Sequence, residues 1–415
     1  MHAKEYERLS RSIEEITGIA KSMGLDYFPM RYEVCPAEVL YSIGAYGMPA
    51  RFAHWSFGKA YHRMKLEYDY GLSKIYELVI NSNPCYAFLL DHNSLIQNKI
   101  IVAHVLGHSD FFKNNAMFSA TDRSMLDRMS TFADRFHLFE HEFGEKVVEE
   151  TLDAALAIQE HIDPHHRFGR MQGFAEADGL MKDVVSFIAT NSRKLADWQR
   201  EVLWMIREEM LYFWPQMETK IMNEGWASYW HTTLMHELDL DESDTIEFAK
   251  MNAAVLQPAR GGINPYYVGI KMFEELERRH GRDAIFEIRE MENDVSFLRN
   301  HLDQGMVEAM DLFLFQREGE YYKVSSKQAA QVRDLLIAQR TNGGFPYIGA
   351  LDGDYRGRGE LLLRHRFEGM ELDRKYVQMT LPHLYKLWGK PVHLQTQVNG
   401  RILTYEFDGK EMKVA

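Results

Sequence analysis

Two histidines four residues apart, His104 and His108, are the residues whose types and spacing most directly indicate chemistry. On a helix this spacing places both imidazoles on one face, about one turn apart. Two neutral imidazole rings in that position can bind one metal ion. A helix is favoured here because Asn93 or Ser94 can cap its start and apolar residues recur at helical spacing through Leu106. Two buried structural histidines are the alternative interpretation.

A glutamate far along the chain is the third candidate ligand. Glu224 lies in the run NEGWA at 223–227, inside a helical pattern from about 197 to 237 in which Pro215 is expected to break or kink the helix. Its neighbours are mostly apolar, and a carboxylate on an apolar face is costly unless it is paired or bound to a metal. Together with the histidine pair, this favours a site for one metal ion.

The two motifs, in this order, resemble the metal-binding helices of gluzincin metallopeptidases, in which an Asn-Glu-Gly-x-Ala helix supplies the third zinc ligand. The resemblance implies zinc-dependent hydrolysis of a peptide or amide bond. However, Val105 stands where the general-base glutamate of that family is found. The candidate replacements are His231, seven residues beyond Glu224 on nearly the same helix face, and Glu140. The missing base also favours an alternative, a non-catalytic regulatory or scaffold protein on the same fold.

The composition narrows the range of partners. The chain has 415 residues with a net charge of −13, so it has no basic excess with which to hold nucleic acid phosphates. It has only two cysteines, no apolar signal-peptide core and no apolar run close to the roughly 20 residues of a membrane span. We expect a cytoplasmic protein that binds a peptide or cell-wall-derived substrate, with protein partners as a further option.

The elements predicted around the two motifs would position the site. A helix is predicted at 1–24, and short strands at 76–81 and 86–90 lead directly into the histidine helix, as in zincins. Helices then follow to about residue 325. The fold class is therefore predicted as α+β and predominantly α-helical, with a gluzincin-like core.

Three regions are predicted. Residues 1–170 carry the histidine helix, and 171–325 carry the NEGWA helix and complete one core with the first region. Residues 326–415 form a small α+β module. Within this module, Asn399-Gly400 predicts a hairpin and Asp352-Gly353 predicts a second turn.

Two loops rich in glycine, proline and aromatic residues are candidate substrate-binding segments. The first contains His54. The second contains Arg260, Asn264 and Tyr266, whose side chains could grip a carboxylate or a carbonyl. A purely structural role is the alternative for both loops.

Many long stretches of the chain, in order, resemble the stage V sporulation protein R family. They include CPAEVLY, HWSFGK, NSLIQNKIIVAHVLGHSDFFKNN, LYFWPQMETKIMNEGWASYWH, LQPARGGINPYYVGIK and LYKLWGKPVHLQT. The resemblance covers essentially the whole length, with a departure near 167–180, where relatives often carry a longer acidic linker. It implies a link to the spore cortex, a peptidoglycan layer, and the family pattern itself has valine at position 105.

Overall fold

A computed structural model describes residues 3–69, 77–165, 179–258, 262–318 and 321–415. Over these residues the protein is predominantly helical with small sheets, which confirms the predicted α+β class. None of the described helices combines the length and the apolar run that crossing a bilayer requires.

The α-helices within the described ranges are α1 (Ala3–Ser22), α2 (Ala37–Tyr46), α3 (Trp55–Asp69), α4 (Leu95–Asn114), α5 (Met125–Phe143), α6 (Glu145–Leu156), α7 (Val184–Asn191), α8 (Asp197–Glu218), α9 (Lys220–His236), α10 (Glu242–Val255), α11 (Pro265–His280), α12 (Arg282–Met291), α13 (Asp294–His301), α14 (Gln304–Ala309), α15 (Ala329–Arg340) and α16 (Arg374–Trp388). The strands are β1 (Met30–Cys35), β2 (Glu77–Ile80), β3 (Cys85–Leu90), β4 (Leu314–Glu318), β5 (Tyr321–Ser326), β6 (Ile348–Tyr355), β7 (Glu360–His365), β8 (Val392–Val398), β9 (Arg401–Phe407) and β10 (Met412–Val414).

The chain forms two compact units, each assembled from three separate stretches. The first unit consists of Met1–Pro49, Trp55–Leu126 and Pro215–Thr341, and the second of Ala50–His54, Asp127–Trp214 and Asn342–Ala415. The predicted division into 1–170, 171–325 and 326–415 stays a prediction. Packing joins separate stretches within each unit: α15 buries Val332 and Leu336 in the core of the first unit, and α6 packs against α16 in the second.

In the first unit, α4 is buried on nearly every side. Its residues from Ile100 to Phe112 are all buried, and a helix that is surrounded in this way lies at the centre of a core rather than on a surface. The strands that precede it form a sheet in the order β1-β3-β2, with β1 parallel and β2 antiparallel to β3. The two predicted strands and their position directly ahead of the histidine helix are confirmed.

The long helical pattern is interrupted at Thr219 rather than at Pro215. Pro215 lies inside α8, and Thr219 adopts φ −124° and ψ 20° between α8 and α9. The hydroxyl of Thr219 donates a 2.6 Å hydrogen bond to the carbonyl of Pro215. The prediction of a break was therefore right, but its position was four residues too early.

The second unit contains a five-stranded sheet in the order β10-β9-β8-β7-β6, in which only β7 and β8 are parallel. The predicted hairpin at Asn399-Gly400 is confirmed, with φ of 49° and 76° between β8 and β9. The predicted turn at Asp352-Gly353 was wrong, because both residues lie inside β6. A Cβ at Gly353 would lie 3.1 Å from the ring of Phe187, so this glycine serves close packing instead of chain reversal.

Candidate metal centre

A capping box fixes the first turn of helix α4, which carries the two histidines. The hydroxyl of Ser94 accepts a hydrogen bond from the Gln97 amide, and the Gln97 side chain accepts one from the Ser94 amide, which forms a capping box. Ten and fourteen residues further on, His104 and His108 are 3% and 5% exposed, with ring centroids 4.6 Å apart. The predicted helix and its shared histidine face are confirmed.

Helix α9, which carries Glu224, is held close to helices on two sides by glycines. A Cβ on Gly107 of α4 would lie 2.8 Å from the Cα of Ala227, and a Cβ on Gly225 would lie 2.4 Å from the backbone of Gly269 in α11. Only residues without a side chain allow backbones to approach so closely. The contact of Gly107 with Ala227 therefore sets the distance between α9 and the histidine helix, and the contact of Gly225 with Gly269 sets the distance between α9 and α11.

A buried aspartate fixes the start of α9. The Asp294 carboxylate, from α13, accepts hydrogen bonds of 2.9 and 3.0 Å from the amides of Ile221 and Met222. These amides lack partners within their own helix, and a negative group there is favourable. Burial nevertheless outweighs these bonds and raises the pKa of Asp294 to about 7. Asp294 thereby holds the first turn of α9, directly before Glu224.

Three donor atoms converge between α4 and α9. Glu224 Oε2 lies 3.7 Å from His104 Nε2 and 3.5 Å from His108 Nε2. One ligand atom from each of the three residues lies within 4.8 Å of the others, and all three residues are buried. Within the described part of the chain, Oε2 accepts no hydrogen bond. Two imidazoles and a carboxylate, with a further position open, are the donor set of catalytic zinc sites.

The outer nitrogen of His108 is held by the residue next to Glu224. His108 Nδ1 lies 2.9 Å from Asn223 Oδ1. With the Asn223 oxygen facing the ring, Nδ1 is assigned as the protonated donor, because an amide oxygen only accepts hydrogen bonds. The lone pair of the neutral ring is therefore on Nε2, which faces Glu224. This is the tautomer that a metal ligand needs.

The same reasoning extends to His104 through two further residues. His231 Nε2 lies 2.9 Å from Asn252 Oδ1 and must donate to it, which leaves His231 Nδ1 as an acceptor. His231 Nδ1 lies 2.8 Å from His104 Nδ1, so His104 donates and presents the lone pair of Nε2. His231 thus contacts the outer side of the ligand ring. This placement favours a positioning role, and its predicted role in proton transfer stays a prediction.

The charged form of Glu224 is favoured. Burial alone would raise its pKa, but polar and charged neighbours, among them the ammonium of Lys220, hold the pKa well below its ordinary value. Lys220, one helical turn earlier, donates a hydrogen bond to Glu224 Oε1. The carboxylate therefore presents one oxygen to the ammonium and the other to the imidazoles.

Asp110 joins the two site helices without contacting the donor atoms. It is fully buried and accepts a 2.8 Å hydrogen bond from the indole of Trp226 and another of 2.8 Å from the amide of Asp26. The guanidinium of Arg289 lies 3.4 Å away. Burial still dominates and raises the pKa of Asp110 to about 6. The Trp of the NEGWA run is therefore an anchor that ties α9 to α4.

The second candidate substrate loop contributes one residue next to the centre. Tyr266 stacks on His104, with ring centroids 6.1 Å apart and planes at 24°. The contacts of Asn264 are structural. Its side chain caps α11 and donates hydrogen bonds to the carbonyls of Val255 and Gln257. Arg260 lies outside the described residues. The predicted substrate roles of these residues stay predictions.

The structure does not bring His54 or Glu140 into the donor cluster. Both belong to the second compact unit, whereas the three ligands belong to the first. His54 Nε2 lies 3.2 Å from Asp153, and Glu140 lies 3.1 Å from Nδ1 of the exposed His137. Their predicted roles in substrate binding and catalysis stay predictions.

The sequence analysis missed four residues that shape the centre: Lys220, Asn223, Asn252 and Asp294. The first two carried a readable signal, because Lys220 is one turn before Glu224 and Asn223 is its neighbour on the same helix. Asn252 and Asp294 come from other helices, α10 and α13, and no local pattern marks them.

Two family descriptions match this chain. A family described as SpoVR like protein matches residues 3–179 and 170–345, and a second, described as SpoVR-like C-terminal domain, matches residues 346–399. The chain belongs to the SpoVR family. Members are associated with sporulation.

A relative in Escherichia coli (strain K12), the uncharacterized protein YcgB, is 28% identical over 474 aligned positions. The match covers 94% of this chain and 92% of the relative. No solved structure matches the chain. The two matched stretches of the SpoVR description overlap at 170–179, within the segment where the sequence was expected to depart from the family.

Proposed function

We propose that this SpoVR protein is a zinc-dependent hydrolase of a peptide or amide bond. The observation that carries the proposal is the convergence of His104 Nε2, His108 Nε2 and Glu224 Oε2 in one buried cluster. Two nitrogens and one oxygen with an open position suit zinc, which would lower the pKa of a bound water and polarise a substrate carbonyl.

The residues around the ligands support the same function. Asn223 and the His231–Asn252 pair hold both rings in the tautomer that exposes Nε2. Such outer partners orient metal ligands and raise their basicity. Asp294 and the close glycine contacts fix the helix that carries Glu224. Contacts within the protein thus position both rings and the helix of Glu224.

The family match suggests which substrate class to test first. Because SpoVR members are associated with sporulation, a peptide derived from the cell wall, in the formation of the spore cortex, is the first class to test.

One observation favours the second candidate function, a regulatory or scaffold protein with a structural metal. Val105, directly after His104, is fully buried in a separate core cluster with Ala87 and Leu89 of β3. That position therefore offers neither a base nor room for one. A hydrolase would need a water activated by the metal itself, or a base from another element.

The test compares cleavage by three zinc-supplied proteins, the wild type, Glu224→Gln and Glu287→Gln, on peptide libraries that include peptidoglycan peptides. Glu287 is an exposed acid on α12 and serves as the matched control. We expect products, detected by mass spectrometry, from the wild type and Glu287→Gln but not from Glu224→Gln. Equal products from all three would refute the assignment. A zinc-loaded wild type that cleaves none of these substrates would favour the scaffold function.

A further inference from the structure

Lys220 connects the buried centre with solvent. Its side chain is 45% exposed, whereas that of Glu224, to which it donates a hydrogen bond, is 7% exposed. The two histidines are as buried as the glutamate. The ammonium of Lys220 therefore lies at the boundary between the donor cluster and the outside.

Tyr266 borders the same space. Its half-buried ring stacks on His104, and Lys220 Nζ lies 6.0 Å from the ring centroid. Tyr266 is in the first turn of α11, the helix that packs on α9 through Gly269. Lys220 and Tyr266 thus lie beside each other at the edge of the donor cluster, Lys220 against Glu224 and Tyr266 against His104.

The charge around the donor cluster would be out of balance with a divalent cation bound. Both histidines are neutral in the tautomers assigned above. The two charges of the cation and the one of Lys220 then face the single negative charge of Glu224, which leaves an excess of two positive charges. The neighbouring carboxylate of Asp294, which accepts hydrogen bonds from amides of α9, can offset at most one of these two charges. Excess charge next to a buried site is costly unless an anion compensates it.

We propose that Lys220 and Tyr266 form a binding subsite for a carboxylate of the substrate, beside the metal ligands. This inference rests on the proposed function and specifies its substrate class: peptides with a free carboxylate close to the cleaved bond, from a chain terminus or an acidic side chain. Lys220 supplies a charge-assisted hydrogen bond, and the Tyr266 ring supplies a flat wall next to it. A cation bound at Glu224 would compete with Lys220 for the charge of this carboxylate, which would leave the ammonium available to a substrate carboxylate.

The test measures how well the zinc-supplied protein distinguishes a carboxylate from an amide of the same shape. The probes are N-acetylalanine and N-acetylalaninamide, titrated by calorimetry or NMR into the wild type, Lys220→Met and Lys220→Arg. Lys271→Met is the control, because Lys271 is a half-exposed lysine of α11 that pairs with Glu274. Zinc content and zinc affinity are measured on the same samples.

We expect the preference for the carboxylate to fall about 10- to 100-fold in Lys220→Met, as for the loss of a hydrogen bond to a charged group. Lys220→Arg and Lys271→Met should keep most of it. Zinc should stay bound in Lys220→Met, and more tightly, since a repelling charge is gone.

Two other outcomes would refute the subsite, and they differ in what they say about the metal centre. If Lys220→Met binds zinc and keeps the wild-type preference, the subsite is refuted while the metal centre stands. If the wild type binds no zinc, the proposed function fails and the subsite fails with it. A peptide with a terminal carboxylate and one with only an acidic side chain, compared in the same titration, distinguish the two sources of the carboxylate.

Discussion

Replacing Gly225 by alanine should destabilise the protein, although alanine is the better helix former. The new Cβ would lie 2.4 Å from two backbone carbons of Gly269. Carbon atoms in contact are about 3.5–4.0 Å apart, so α9 and α11 would have to separate by roughly 1 Å. Overpacking of this kind costs about 1–3 kcal/mol, and the clash with main chain, which cannot rotate away, favours the upper end. The gain in helix propensity returns about 1 kcal/mol.

Gly18→Ala is the matched control, because Gly18 lies inside α1 with nothing within 4 Å of its added Cβ. Here only the propensity gain remains, so this variant should be more stable by about 0.5–1 kcal/mol. The midpoints of urea unfolding, followed by circular dichroism, should therefore move in opposite directions. Midpoints are the right measure because a chain of two units need not unfold in one step. If Gly225→Ala were stabilised as much as Gly18→Ala, the close α9–α11 contact would be refuted.

Three further predictions concern the neighbours of the ligands. Asn223→Asp keeps an acceptor for His108 and should retain zinc, whereas Asn223→Leu should lower zinc affinity by about 10- to 100-fold in a chelator competition; equal affinities would contradict the assigned tautomer. Trp226→Phe leaves the buried carboxylate of Asp110 without its indole donor and should lower stability by about 1–3 kcal/mol, measured by urea unfolding beside the exposed Trp55→Phe, which should change little. Burial raises the pKa of Asp294 to about 7, above its value in the unfolded chain near 4, so its contribution to stability is complete below pH 4 and is lost as the pH rises through 7. The urea midpoint of Asp294→Asn, minus that of the wild type, should therefore increase between pH 4 and pH 8. A constant difference would show that Asp294 does not titrate in this way.

The centre could be predicted from the sequence where its signal was local. The spacing of His104 and His108 indicated one helix face, and the apolar surroundings of Glu224 indicated a carboxylate that needs a partner. The structure brings the three together, and the turn chemistry of Asn399-Gly400 was equally readable. In each case a single helix or turn carries the information.

The remaining features depend on tertiary contacts. Asp294 and Asn252 act on the site from helices far along the chain, and nothing in their own neighbourhoods distinguishes them from ordinary caps and surface amides. Gly353 could not be interpreted from the sequence for another reason: a glycine can serve either a turn or a close contact with a ring, and here it serves the contact. The two compact units could not be predicted from local sequence either, because each is assembled from three stretches whose association is decided by packing.

The most direct test of the account is the metal content of the purified protein, measured by mass spectrometry after zinc supply. The samples are the wild type, His108→Ala, Glu224→Ala and, as control, His62→Ala, which changes an exposed histidine of α3. The account predicts about one zinc per chain in the wild type and in the control, and a loss of zinc in both ligand variants. A wild type without zinc, or equal zinc in all four proteins, would contradict it.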